Sequence, residues 1–353
     1  MKNIFYIYIE PARRLLLSHL LMAHSAILEV NMTNKELLER QKWFVNLRLG
    51  MFIHFNSATF QFNSTEIKDW EYDHENEGLE REYFFDPKSF QPTQLDCRQW
   101  AKAAKTLGAS FAALTTKHHE GFCLWPTKTT QHCIRNAVIT TDVVKEYVDA
   151  FRAEGIIPGL YFSMLDLTHQ IGRKKCTRED VEYTKNQLTE LLTNYGEIPF
   201  IIIDGWQAHW GGPSYENMPY EEIDAHIKSI KPNCMLLNIS CESNLDHTEI
   251  VFYENAAGQE VEEGFAGPGA SCNILNECWF WRKTDPEMEL KSAEWALNKI
   301  NDMNNHNVTF LLNSSPNTFG LIDENFIKRY EEIGKRYKKP EDIKDIPSGW
   351  IMR

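Results

Sequence analysis

Residues 200–205 read Phe-Ile-Ile-Ile-Asp-Gly, and this short stretch limits the possible folds more than any other part of the sequence. A run of bulky apolar residues between turn residues is typical of a strand buried on both faces, as in a parallel sheet covered by helices. Asp204 stands at the carboxyl end of that strand, and Gly205 lets the chain turn away. In parallel α/β folds this end carries the ligand-binding and catalytic side chains. Asp204 is therefore a candidate functional residue, although an isolated Asp-Gly more often only caps a turn.

Strands and helices alternate along the rest of the chain. Further strands are predicted at 50–55, 109–117, 156–163, 235–240, 250–254, 278–281 and 308–313. Helical spacing is found at 96–107, 142–154, 178–195, 221–230, 290–303 and 323–337. Such alternation favours parallel pairing with right-handed crossovers, and eight units match the (β/α)8 TIM-like barrel. The sequence predicts an N-terminal extension or signal-like segment at 1–34, a catalytic barrel at 35–338 and a loosely held C-terminal tail at 339–353.

The net charge and the composition exclude several classes of function. A net charge of −13 disfavours nucleic acid and anionic membrane surfaces as partners. The eight cysteines include no C-x-x-C pair, so they form no zinc pattern, and we expect neither a cofactor nor a bound metal. The apolar runs 4–9 and 15–26 are too short to span a bilayer. They resemble signal-peptide cores, and we expect export to a periplasmic, secreted or lysosome-like location rather than the cytoplasm.

Polar side chains recur at the predicted strand ends, where a barrel brings them to one pocket. They are His54, His118, His119, Tyr161, Ser163, Asp204 and Glu254. Imidazoles and a carboxylate can bind a metal that activates water. Against this, adjacent residues such as His118 and His119 point to opposite sides of a strand. The alternative is glycoside hydrolysis by two carboxyl groups, with Trp70, Trp206 and Trp281 stacking on sugar faces.

Five segments in the same order along the chain carry a resemblance to a known family. They are 50–55 (GMFIHF), 117–126 (KHHEGFCLWP), 159–163 (GLYFS), 191–198 (LLTNYGEI) and 311–322 (LLNSSPNTFGLI). Together they resemble the alpha-L-fucosidases of glycoside hydrolase family 29, over about residues 43–337. The segment with the two histidines, close to the family's K-H-H-D-G-F-x-L-W, is the most specific of the five.

The resemblance implies an exo-acting, retaining hydrolase. Its substrate would be a fucosylated oligosaccharide or glycoconjugate from which terminal alpha-L-fucose, or a related L-sugar, is removed. Asp204 would be the nucleophile, with Tyr161 near it. Side chains expected to bind the sugar are His54, Asp69, Trp70, His118, His119, Tyr161, Trp206 and Trp281. Asp69-Trp70 would correspond to a Glu-Trp pair of the family. The family usually adds a C-terminal β-sandwich, and we expect none within these residues.

The general acid/base is the weakest part of the resemblance. The position at which relatives carry it aligns with Ala270, so we choose Glu254, which ends a predicted strand. Glu260, Glu262 and Glu263 in the following loop are the alternatives. Two other functions stay open: a fucose-binding barrel with impaired catalysis and a metal-dependent hydrolase.

Overall fold

The computed structural model describes residues 34–61, 85–208, 211–239, 242–347 and 350. The signal-like runs and the expected Asp69-Trp70 contact lie outside these ranges. Within them, no helix is long and apolar enough to cross a membrane.

The strands form one parallel eight-stranded sheet, as predicted. In chain order they are β1 (Leu49–Ile53), β2 (Phe111–Lys117), β3 (Ile157–Ser163), β4 (Phe200–Asp204), β5 (Met235–Asn238), β6 (Val251–Glu254), β7 (Gly269–Asn273) and β8 (Val308–Ser314). Their order in the sheet is β5-β4-β3-β2-β1-β8-β7-β6, so β1 pairs with both β2 and β8. This is the (β/α)8 barrel that the alternating pattern predicted.

Helices in the described ranges cover the outside of the sheet or lie next to it. They are α1 (Asn34–Val45), α2 (Ser57–Gln61), α3 (Cys97–Leu107), α4 (Val143–Ala153), α5 (Arg178–Asn194), α6 (Tyr220–Ile230), α7 (Ala293–Asn305) and α8 (Glu324–Arg336). Local sequence sets several of their ends. Asp96 accepts hydrogen bonds from the first free amides of α3, and Gly108 ends that helix in the left-handed region at φ 89°.

The seam between β5 and β6 is closed by side chains instead of a regular ladder. Glu249 donates its backbone N–H to Leu236 O (3.0 Å), and its carboxylate accepts from Leu236 N (2.7 Å) and from Lys228 Nζ (2.6 Å). Thr248 Oγ1 accepts from Asn238 N (3.0 Å). The barrel is thereby nearly closed, and the backbone groups of β5 at Leu236 and Asn238 are paired along this edge.

Two apolar cores lie on the two sides of the sheet. The larger core packs the helices on the outer face, and the smaller one fills the barrel. Phe44 of α1 closes the lower end of the barrel, where its ring lies 5.4 Å from the rings of Phe111 and Phe200. Because the interior is filled with side chains, polar chemistry is confined to the strands' carboxyl ends.

One prediction about the C-terminal third was wrong. The seventh strand is Gly269–Asn273 and not 278–281, which lies in the following loop. Small residues made the true strand hard to recognise, since it has little apolar bulk. In the tail, Arg48 Nη2 donates to Glu341 O (2.8 Å), and Ile343 N donates to Asn46 Oδ1 (2.9 Å).

Candidate active site

The two-residue period of a strand brings the polar residues to the mouth of the barrel. Phe200 and Ile202 face the inner core, so Asp204, two residues on, points into the mouth. Phe52, Phe252 and Leu311 also face the inner core. The residue two positions after each of them is polar and lies on or just beyond β1, β6 and β8: His54, Glu254 and Asn313.

Asp204 is held by two donors. Tyr161 OH donates to its Oδ2 atom (2.6 Å) and Gly205 N donates to its Oδ1 atom (2.6 Å). Gly205 adopts φ 68°, and a Cβ atom there would lie 2.9 Å from Leu165 Cβ, so glycine is required. The carboxylate is partly exposed at the mouth of the barrel, with its orientation fixed.

His118 and His119 lie on the same side of the site, so the prediction that they point apart was wrong. The register between β2 and β3 shifts between Thr115 and Lys117, and the regular strand ends before the pair. Their ring centroids are 4.0 Å apart. One ligand atom from each of His118, His119 and Asp204 fits within 4.8 Å of the others. His119 Nε2 lies 3.6 Å from Asp204 Oδ2.

His54 is buried beside two aromatic rings. Its Nδ1 atom lies 2.7 Å from Asn313 Oδ1. The ring centroids of Trp279 and Phe280 lie 5.0 and 5.2 Å from that of His54. Burial lowers the pKa of His54 to about 3, with the Asn313 contact opposing the shift, so the imidazole is neutral at physiological pH.

Glu254 is the last residue of β6 and is partly buried. Its charge affects the pKa of the same two side chains as the charge of Asp204. Burial raises the pKa of Tyr161 well above its usual value, and the charges of Asp204 and then Glu254 raise it further. Burial is also the largest cause that raises the pKa of the Cys272 thiol, and the charges of Glu254 and then Asp204 raise it further. The charges of both carboxylates therefore act on Tyr161 and Cys272, and each acid ends its strand two residues beyond an inner-core side chain, Ile202 or Phe252.

The alternative acids in the next loop have other surroundings. Glu260, Glu262 and Glu263 are exposed. Glu260 pairs with Lys299 on α7 (3.7 Å). Burial, with the charge of Glu262 adding to it, raises the pKa of Tyr253 to about 12, and Tyr253 packs in a separate small cluster away from the barrel interior.

Two predicted stacking residues are not brought to this pocket. Trp206 is fully buried, and its indole N–H donates to Met218 O (2.9 Å), because the turn at Gly205 directs it into the outer core. Trp281 is only 8% exposed and donates to Asp323 Oδ2 (2.6 Å). Trp279 and Phe280 of the same aromatic run contact the histidines instead.

The loop after β2 is anchored by a buried ion pair and a buried hydrogen bond. Lys117 Nζ lies 3.3 Å from Asp166 Oδ2, and both side chains are fully buried. Glu120 Oε1 lies 2.5 Å from His132 Nε2. Leu167 N donates to His119 O (2.8 Å), which ties the histidine pair to the loop after β3.

Asn313 and Cys272 are site residues that the sequence reasoning did not select. Asn313 lies in the recognised 311–322 segment, and counting two residues from Leu311 places it at the mouth. Cys272 had no such signal, because its strand was not recognised.

Comparisons with known proteins match this arrangement. The alpha-L-fucosidase family model matches residues 17–340. Alpha-L-fucosidase 1 of Arabidopsis thaliana is 30% identical over 316 residues, which cover 81% of this chain and 57% of the relative. Human tissue alpha-L-fucosidase is 23% identical, over 83% of this chain and 66% of the human protein.

Solved structures show the same fold. Alpha-L-fucosidase isoenzyme 1 from Paenibacillus thiaminolyticus superposes with a TM-score of 0.69 at 25% identity, over 85% of this chain and 75% of that one. A Bacteroides thetaiotaomicron alpha-L-fucosidase of glycoside hydrolase family 29 gives a TM-score of 0.67 at 23% identity, over 84% and 73%. The chain spans little more than half the length of the plant relatives it matches, 57% and 56%. With the barrel, the ordered motifs and the family match in agreement, this chain belongs to the alpha-L-fucosidase family, glycoside hydrolase family 29.

Proposed function

We propose that this chain is an exo-acting, retaining alpha-L-fucosidase that removes terminal alpha-L-fucose, or a related L-sugar, from glycans. The observation that carries the proposal is the pair Asp204 and Glu254. Both residues end parallel strands, β4 and β6, two positions beyond a side chain of the inner core, and two donors orient Asp204. Two carboxyl groups at one sugar site are what double displacement requires.

Asp204 is the nucleophile in this proposal. One of its carboxylate oxygens attacks the anomeric carbon as the bond to the leaving oxygen breaks, which gives a fucosyl ester. Glu254 donates its proton to that oxygen. In the second step Glu254 takes a proton from water, the water oxygen attacks the anomeric carbon, and Asp204 leaves as a carboxylate. The Bacteroides thetaiotaomicron structure described above is a trapped covalent intermediate in complex with 2-fluoro-fucosyl fluoride, which supports the same sequence of steps here.

Burial and neighbours favour Glu254 over the other acids. Partial burial and the charge of the nucleophile favour a protonated general acid, and Glu254 is partly buried at the same end of the barrel as Asp204. Glu260, Glu262 and Glu263 are exposed, and Glu260 pairs with Lys299 on α7 instead. Ala270, the aligned position, lies inside the barrel on β7, two residues below the strand's mouth-facing Cys272.

The sugar would lie between the two acids and the histidines. His54, His118 and His119 are polar side chains that surround Asp204 and can contact ring hydroxyls. Trp279 offers a partly exposed ring beside His54. This set suits a terminal residue that enters the barrel mouth, which supports exo action on a fucosylated glycan.

Azide rescue tests the two roles separately. With an activated aryl alpha-L-fucoside, Asp204→Gly should lose several orders of magnitude in kcat, and azide should restore turnover with fucosyl azide of inverted configuration. Glu254→Ala still forms the glycosyl-enzyme, so azide should give the retained product. Glu260→Ala, which removes an exposed acid, is the matched control and should behave as wild type. Turnover that survives Asp204→Gly without azide contradicts the proposal.

The same assay decides the rival of a fucose-binding barrel with impaired catalysis. That protein would bind fucose by calorimetry and turn over neither an aryl fucoside nor a natural glycan. Export of the chain also stays a proposal, supported by the apolar runs 4–9 and 15–26. Sequencing of the N-terminus of protein recovered from outside the producing cells tests it.

A further inference from the structure

The amide of Asn313 determines which ring nitrogen of His54 carries its proton. Asn313 Nδ2 donates to Trp279 O (2.8 Å) and to Ser315 Oγ (3.1 Å). The amide oxygen therefore faces His54 Nδ1 at 2.7 Å. Because that oxygen only accepts, Nδ1 must carry the hydrogen.

Ser163 does the same for His119. The Ser163 hydroxyl has one proton, and it donates that proton to Leu165 O (2.8 Å). Its contact with His119 Nδ1 (2.7 Å) must then be one in which the serine oxygen accepts. His119 Nδ1 carries the hydrogen as well.

The two histidines consequently present the same kind of atom to the ligand. In a neutral imidazole with hydrogen on Nδ1, the Nε2 atom is an acceptor. Burial is the largest cause that lowers the pKa of both His54 and His119, so both rings are neutral at physiological pH. His119 Nε2 lies 3.6 Å from Asp204 Oδ2, which is another acceptor and too distant for a direct hydrogen bond.

We propose that Asn313 and Ser163 are positioning residues that hold His54 and His119 as Nδ1–H tautomers, so that their Nε2 atoms accept hydrogen bonds from sugar hydroxyls. The inference rests on the proposed function and adds to it a rule for the ligand. A group at these positions must donate a hydrogen bond, and a group that only accepts is rejected.

Substituted methyl alpha-L-fucosides test that rule by calorimetry. A hydroxyl both donates and accepts, fluorine only accepts, and hydrogen does neither. At two or more of the 2-, 3- and 4-positions, we expect the deoxyfluoro and the deoxy compounds to bind with equal affinity. That affinity should be about tenfold or more below that of the parent, because each compound has lost one hydrogen bond to the protein. A fluoro compound that binds much better than its deoxy counterpart at these positions overturns the inference.

The ring nitrogens can also be observed directly in the ligand-free protein. In ¹⁵N-histidine-labelled protein, protonated and bare ring nitrogens give distinct shifts, and His54 and His119 should show hydrogen on Nδ1. Ser163→Ala should shift the His119 signals and leave those of His54 unchanged. This readout needs no fucose, so failure of the fucosidase proposal is distinguishable from failure of the tautomer proposal. Hydrogen on Nε2 in either ring overturns the tautomer proposal.

A double-mutant cycle separates positioning from general support of the fold. If Asn313 acts through His54, Asn313→Leu should lower kcat/KM about tenfold to a hundredfold in wild type and little in a His54→Ala background. If the losses in kcat/KM caused by Asn313→Leu and His54→Ala add in full in the double variant, Asn313 does not act through His54. Thr309→Val is the control, since this buried hydroxyl lies on the same strand and donates to Phe44 O at the opposite end of the barrel. If Asn313→Leu does not fold, the cycle of Ser163→Ala with His119→Ala replaces it. Ser163→Ala removes only one hydroxyl.

Discussion

The phenol of Tyr161 donates a 2.6 Å hydrogen bond to Oδ2 of Asp204, from the strand next to the one that carries the carboxylate. The neighbouring residues Ser163 and Asp204 are paired in register, and Met164 N donates to Asp204 O (2.8 Å). The carboxylate is therefore oriented by the barrel's regular backbone and not by a flexible loop. Such support from rigid elements is what keeps a reacting group in position.

Tyr161→Phe removes this one hydrogen bond and retains the ring. We expect kcat with an aryl fucoside to fall about tenfold to a hundredfold, since a charge-assisted hydrogen bond to the nucleophile is worth about 1.5–3 kcal/mol. KM should change much less, because the phenol already donates to Asp204 and is not needed to bind the sugar. The measurement is steady-state kinetics, with a thermal melt as the control for folding. A large rise in KM with unchanged kcat would show that Tyr161 binds the sugar instead.

Glu249→Ala opens the seam between β5 and β6. Its carboxylate pairs with Lys228 Nζ, and both side chains are nearly buried. Its removal leaves the buried Lys228 with the more distant Asp224 (3.6 Å) as its acidic partner, so we expect a loss of about 3 kcal/mol in the free energy of unfolding, the lower end for a broken buried pair. Denaturant unfolding measures it. Glu331→Ala, which removes an exposed pair with Lys335, is the control and should cost less than about 1 kcal/mol.

A Lys228→Met, Glu249→Leu double variant sharpens this test. It replaces both charges with apolar groups and should recover part of the lost stability. Equal losses in the single and double variants would show that the backbone contacts of Glu249 with Leu236, rather than the ion pair, close the seam.

The architecture could be predicted from the sequence because most strands are apolar runs that end in a polar residue. Phe200–Asp204 matches its predicted bounds, and His54 and Glu254 were found by the same reasoning. Gly269–Asn273 was missed because glycine, alanine, serine, cysteine and asparagine lack the bulk that identifies a strand. The neighbouring Trp279-Phe280-Trp281 run was chosen in its place.

Side-chain direction was harder to predict than position. Trp206 lies two residues after Asp204 in sequence, yet Gly205 turns the chain and the indole is buried in the outer core. His118 and His119 were assigned to opposite faces, since a strict period of two takes no account of a register shift. Loop residues and strand ends depend on tertiary contacts, which a single sequence does not contain.

The cluster of His118, His119 and Asp204 allows a direct test of the metal-dependent alternative. We expect the purified protein to contain no stoichiometric zinc or manganese and to retain full activity after treatment with a chelator. The physical reason is that Tyr161 directs its proton at Asp204 Oδ2, where a cation would have to compete with it. Stoichiometric metal by elemental analysis, together with activity lost on chelation and restored by one metal, would favour the rival mechanism.

Stability should fall in mild acid because the site buries three neutral histidines. Burial is the largest cause that lowers the pKa of His54, to about 3, and it lowers those of His118 and His119 as well. In the unfolded chain a histidine titrates near its ordinary value of about 6.5, so below that pH the unfolded state binds more protons than the folded state. The contribution of His54 is complete above pH 6.5 and is lost as the pH falls towards 3.

His54→Asn isolates this contribution, because its amide can replace the Nδ1–H donor to Asn313 while the side chain no longer titrates. Between pH 6 and pH 4 the free energy of unfolding of the variant should depend on pH less steeply than that of wild type, by about 1.4 kcal/mol per pH unit. Urea unfolding at several pH values measures the slope. His306→Asn, at a partly exposed surface position, is the control and should leave the slope nearly unchanged. Identical slopes in wild type and His54→Asn would mean that His54 takes up its proton at the same pH in the folded protein as in the unfolded chain, and burial would then not keep this ring neutral in mild acid.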